Sequence, residues 1–92
     1  MNKITEKNLN HYFKITSQAL KEAKKSKCKN LKEYRKEFLK MIECYYKDAL
    51  YFKEKNNFVN AFACLNYAHG WLDAGARLKI FNVKNNRLFA SD

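Results

Sequence analysis

From Leu9 onward the apolar residues of this chain return at every third or fourth position, the period of a helix with one buried face. Leu9, Tyr12, Phe13, Ala19, Leu20 and Ala23 form the first such stripe, and polar Thr16 stands where it would continue. Thr5 is placed to cap this helix and Glu6 to favour its first turn, so a helix is predicted over about 5–27. KSKCKN then reads as a short polar connection. Asn30 and Glu33 stand at the spacing of a capping box, which opens a second predicted helix over about 31–55. Its apolar row is Leu31, Tyr34, Phe38, Met41, Tyr45, Ala49 and Phe52, with Leu39, Ile42, Tyr46 and Leu50 in a second row beside it. Two apolar rows imply neighbours on two sides and place this helix at the centre of a bundle.

Asn57 is the cap of a third predicted helix over about 58–80. One face carries Phe58, Ala61, Leu65, Ala68, Leu72 and Gly75 or Ala76; a second carries Ala63, Tyr67, Trp71, Ala74, Leu78 and Phe81. Matched lengths and short connections predict an all-α, antiparallel up-down-up three-helix bundle over residues 1–81. Residues 82–92 read as a loosely packed tail, polar apart from Val83, Leu88 and Phe89. The seam between the second and third helices should bury Phe38, Met41, Tyr45, Phe52, Leu65, Ala68 and Leu72.

Composition agrees with helix and adds a charge. The 92 residues hold no Pro, 2 Gly and 14 Phe, Tyr and Trp, enough aromatic bulk for a small single domain. Nineteen Lys and Arg against nine Asp and Glu give +10, which predisposes the chain to polyanions or acidic surfaces; solvated helix faces are the plainer account. From Lys21 to Lys36 the net charge is +6, gathered at the first helix–helix corner. Cys28, Cys44 and Cys64 are odd in number and form no CxxC, so reduced thiols and a cytoplasmic setting are expected. No stretch has the length or apolarity of a signal peptide or a membrane span, so no membrane partner is expected.

Residues 61–81, AFACLNYAHGWLDAGARLKIF, together with the preceding DALYFKEKNNFVN, carry a resemblance. From about Tyr45 to Phe81, with AHGWLDAG at its centre, the chain resembles an archaeal domain-of-unknown-function family numbered 357. The resemblance implies a small helical bundle and an archaeal source, and it brings no catalytic residue. Residues 1–40 match that family only in general helical character. A looser likeness to a single tetratricopeptide unit runs through Tyr45, Ala49, Phe52, Phe58, Ala61, Leu65 and Ala68. One copy makes no repeat array, so the shared feature is a hairpin in which Ala49, Ala61 and Ala68 let two helices approach.

Candidate chemistry is sparse. Asn66, His69, Asp73 and Arg77 share one stripe of the third helix. They make either a small polar site, with an imidazole, a carboxylate and a guanidinium, or a salt-bridged stripe that orients the helix. No nucleophile accompanies them, and His69 with Asp73 is an incomplete metal set, so no catalytic residue, metal or cofactor is assigned. Gly70 and Gly75 each cost about 1 kcal/mol relative to Ala inside a helix, which points to close approach by another backbone. Tyr67, Gly70, Trp71 and Ala74 form a candidate contact face. Lys24, Lys25, Lys27, Lys29, Lys32 and Arg35 are candidate polyanion contacts, although Tyr34, the one ring there able to stack a base, falls on the core row. Cys28 lies between Lys27 and Lys29, as a reactive thiolate or a bystander. The leading expectation is a non-enzymatic helical module for protein–protein contact, with a homodimer as a candidate. The alternative is a nucleic-acid-binding accessory using the basic corner, and an enzyme built on His69, Asp73 and Arg77 stands third.

Overall fold

A computed structural model describes residues 3–89. Three helices of 20 residues each form the bundle: α1 (Glu6–Lys25), α2 (Arg35–Glu54) and α3 (Phe58–Arg77), with one 3-10 turn (Lys32–Tyr34) before α2. Two caps act as the sequence implies. Thr5 Oγ1 accepts from the Asn8 amide at 3.1 Å, and Asn57 Oδ1 from the Asn60 amide at 3.3 Å. The capping box at Asn30 does not form. Leu31 occupies the position before the 3-10 turn in the left-handed region at φ 51°, and Asn30 Nδ2 instead donates to the Leu78 carbonyl at 3.3 Å. A long-range tie across the bundle end replaces the local cap.

The N-terminal half of α1 (Leu9, Phe13) shares a core cluster with the start of α3 (Ala61, Leu65) and with Ala49, late in α2. Ala19 and Ala23 share the other cluster with Ala68, Leu72, Ala76 and Ile42. Hence α1 and α3 run parallel and α2 runs against them, the up-down-up order.

The centre of the bundle is α3, not α2. Both other helices pack on α3 and make little contact with each other. Ala61, Leu65, Ala68, Leu72, Gly75 and Ala76 are buried, a set small enough to admit neighbours on two sides. Helix α2 buries only Ile42 and Ala49. Of the expected seam, Leu65, Ala68 and Leu72 are buried, whereas Phe38, Met41, Tyr45 and Phe52 are half-buried. Ala49, Ala61 and Ala68, each at 0% exposure, set a narrow interface that large rings do not fit. The rings pair along its flanks instead, Phe38 with Trp71 at 4.9 Å and Tyr45 with Tyr67 at 5.3 Å between centroids, while Phe13 of α1 meets Tyr46 of α2 at 5.7 Å.

Residues 82–89 are not a loose tail. Ile80, Phe81, Val83, Leu88 and Phe89 are buried and close one end of the bundle against Ala19, Ala23 and Ile42. Residues 90–92 of that segment lie outside the described residues. Thr16, fully enclosed, leaves its Oγ1 without a hydrogen-bond partner among the described residues. An enclosed, unpaired hydroxyl costs about 1–3 kcal/mol. Thr16→Val, of the same shape, is therefore expected to raise stability by about 1 kcal/mol in urea denaturation. An equal or lower stability would mean that the hydroxyl is satisfied.

Candidate functional site

The corner between α1 and α2 is tied to the segment after α3 by backbone pairing. The Lys29 amide donates to the Lys79 carbonyl and the Asn82 amide to the Lys27 carbonyl, each at 3.0 Å. This pairing brings Lys27 and Lys29 to Lys79 and to the segment that carries Lys84, while Lys32 and Tyr34 follow in the 3-10 turn, where Tyr34 is exposed at 51% rather than on the core. Lys79 and Lys84 escape sequence reading because their place depends on this distant pairing. Lys25 also stays exposed, while Lys24 Nζ lies 3.3 Å from Glu43 Oε2 in an exposed pair.

Arg35 is the exception among the candidate polyanion contacts. Its guanidinium donates to the carbonyls of Ala23 (3.1 Å), Lys24 (3.2 Å) and Ser26 (2.9 Å) at the end of α1, and to that of Ile80 (2.9 Å). It also covers the Phe81 ring, 5.5 Å from its centroid. The last carbonyls of a helix have no partner within it, and a cation there complements their dipole. Arg35 is thus a structural clasp, with both terminal nitrogens engaged by backbone carbonyls.

The polar stripe of α3 is divided by depth: Asn66 and Arg77 are exposed, and His69 and Asp73 half-buried. Asp73 and Arg77 both have polar partners. His69 Nε2 is enclosed with no hydrogen-bond partner among the described residues. Burial pulls the imidazole below its ordinary pKa of 6.5, and the nearby Asp73 charge opposes that shift. Because the folded protein resists protonation there, His69 favours folding fully above about pH 6.5, and that contribution is lost as pH falls below it. Stability should therefore decline from pH 7 to 5, and His69→Gln should flatten the decline. An unchanged profile would place the titrating group elsewhere.

Two of the three thiols are engaged by their surroundings. Burial, reinforced by Asp48, pushes Cys64 above the usual thiol range. Cys28 donates through Sγ to the Asn30 carbonyl at 3.1 Å, which fastens the corner. Among the described residues no three His, Cys, Asp or Glu stand close enough to hold a metal ion, and no helix is long and apolar enough to cross a membrane.

Tyr67, Gly70, Trp71 and Ala74 do come together. With Phe38 and Asn66 they line an open hollow of about 360 Å³ between α2 and α3. None of the six carries a charge, in a chain that is 30% charged. Gly70 forms the floor, and its role differs from the sequence expectation. A Cβ added there meets nothing within 4 Å, so among the described residues no other part of the fold approaches it closely. Gly70→Ala is expected to raise monomer stability by about 1 kcal/mol through helix propensity alone. A loss of stability in thermal unfolding would show a contact at that floor.

Residues 11–81 match the profile of a family described as Protein of unknown function (DUF357), a longer span than the 45–81 read from the sequence and one that takes in most of α1. No curated protein and no solved structure matches the chain. With more than two thirds of its length covered, the chain belongs to this family of proteins of unknown function.

Proposed function

We propose that this protein is a non-enzymatic helical module that works through protein–protein contact, and that the hollow between α2 and α3 is its contact face. The observation that carries this reading is the chemistry of that face. Tyr67 is 62% exposed, and Gly70 and Ala74 are also exposed, while Trp71 stands half-buried beside them. One exposed and two half-buried aromatic rings beside an exposed glycine, free of charge, are the composition of an interface centre and not of a solvated helix face. A second copy of the chain is one candidate occupant. Free thiols at Cys28, Cys44 and Cys64 support a cytoplasmic setting for it.

Trp71 is the sole tryptophan, so its emission reports on this hollow. In concentration series and in partner mixtures followed by sedimentation, association should shift that emission. Ala74→Lys and Gly70→Lys, both at exposed positions, should abolish the association and leave the fold intact. Complexes that form unchanged with both variants would remove this face from the function.

The basic corner gives a second reading, polyanion binding, which the exposure of Tyr34 in the same segment as Lys27, Lys29 and Lys32 favours. Charge alone predicts a salt slope of about −0.7 to −0.9 per phosphate contacted and little sequence preference. A nucleic-acid function requires binding that survives about 0.15 M salt and is lost in Tyr34→Ala and Lys29→Glu.

A further inference from the structure

A larger cavity than the α2–α3 hollow lies on another side of the molecule, and it shares none of the hollow's lining residues. It occupies about 750 Å³ between the outer face of α1 and the segment that follows α3. Lys21 and Lys25, one helical turn apart, stand along one wall, and Arg87 faces in from the other segment. Ile15 and Leu88 supply its apolar surface.

The far wall is built rather than draped. Leu88 is 6% exposed, anchored in the core, and the amides of Leu88 and Phe89 both donate to the Asn85 carbonyl at 3.0 Å. Asn85 Oδ1 accepts from the Arg87 amide at 3.0 Å, and Asn85 Nδ2 donates to Glu22 Oε2 at 3.2 Å. The one carboxylate lining the cavity is thereby occupied by Asn85. Lys21, Lys25 and Arg87 have no anionic partner among the described residues. Three unspent cations and one engaged carboxylate converge on a space with an apolar wall.

From this arrangement we propose that the cavity between α1 and residues 82–89 binds a small phosphorylated molecule of nucleotide size. A phosphate is multiply charged and tetrahedral, so it can take point contacts from two ammonium groups and a forked contact from a guanidinium at once. The organic body of the ligand rests on Ile15 and Leu88, where a bare anion would gain nothing. A volume of about 750 Å³ lies within the range of sites that hold ligands of this size. Of the candidate polyanion contacts only Lys25 lines this cavity; Lys27, Lys29 and Lys32 do not.

Titration of the 15N-labelled protein with ATP, AMP and inorganic pyrophosphate, at about 0.15 M ionic strength, tests the assignment. Saturable shifts are expected at amides of residues 15–25 and 85–88, with the nucleotides binding more tightly than pyrophosphate. Lys21→Ala and Arg87→Ala, both at exposed side chains, should each weaken binding tenfold or more. Lys29→Ala and Lys32→Ala should leave it unchanged. No saturation up to millimolar ligand overturns the proposal and leaves Lys21 and Lys25 as solvated helix charges. Equal losses from all four variants also overturn it, because they would mark diffuse polyanion attraction. Pyrophosphate binding as tightly as the nucleotides removes the apolar wall from the site and with it the ligand class.

Discussion

Replacing Arg35 with Ala is expected to destabilise the protein by about 3–5 kcal/mol, more than the loss of any surface cation. Four backbone carbonyls accept from this one guanidinium, three at the end of α1 and one at Ile80. Hydrogen bonds to a charged donor are worth about 1.5–3 kcal/mol each when made singly. Shared donors and water at the vacated carbonyls bring the total well below four times that figure. The loss also uncouples three pieces of chain, because Arg35 joins the end of α1, the start of α2 and the segment after α3. Arg35→Lys should recover less than half of the stability, since one ammonium cannot span both carbonyl groups. Lys29→Ala and Lys32→Ala, in the same corner, should change it by no more than about 0.5 kcal/mol. Urea midpoints measure all four variants. An Arg35→Ala protein as stable as wild type, or full rescue by Lys, would show that the clasp holds nothing.

The clasp illustrates which parts of this molecule its sequence displays. Helix positions are legible because they depend on period and caps, which are local: Thr5 and Asn57 act as the pattern implies. The small residues Ala49, Ala61 and Ala68 are likewise legible as points of close approach, and all three are fully buried. Arg35 is not legible. In the sequence it is one of eight cations between Lys21 and Lys36, and only the fold brings the Ile80 carbonyl within 2.9 Å of it. Asn30 fails for the same reason, since a long-range acceptor at Leu78 displaces a local cap.

Helix order shows a different limit. Two apolar rows on α2 imply two neighbours, yet its rings line open flanks, and the small-residue face of α3 takes the centre. Periodicity counts apolar positions without weighing their width. Tyr67, Gly70, Trp71 and Ala74 need only adjacency on one helix face to line the same hollow, to which α2 adds only Phe38. The cavity lined by Lys21 and Arg87 joins residues 66 positions apart, through a segment whose apolar residues are too few to make a stripe.

Gly75 and Phe81 make the sharpest test of the closed bundle end. Phe81 is fully buried, its amide donates to the Gly75 carbonyl at 3.1 Å, and its ring covers Gly75 so closely that a Cβ there would collide with it. The ring also lies in edge contact with Phe38, 6.4 Å between centroids, and beneath Arg35. Phe81→Ala is expected to cost about 3–5 kcal/mol, from lost burial and the space left behind. Gly75→Ala in the intact protein should also destabilise, by about 1–3 kcal/mol, because an enclosed ring cannot move aside without disturbing its neighbours. Helix propensity alone predicts the opposite sign, a gain of about 1 kcal/mol. The two expectations separate in the double variant. With Phe81 already reduced to Ala, the added methyl at Gly75 enters vacated space, and Gly75→Ala should become stabilising. Such a reversal corresponds to a coupling of more than about 1 kcal/mol in a double-mutant cycle. If Gly75→Ala is neutral in the intact protein, or has the same effect in both backgrounds, the ring does not rest on that glycine. The glycine would then have to be explained by the backbone turn after α3, where Lys79 takes φ 63°, and not by the packing of Phe81.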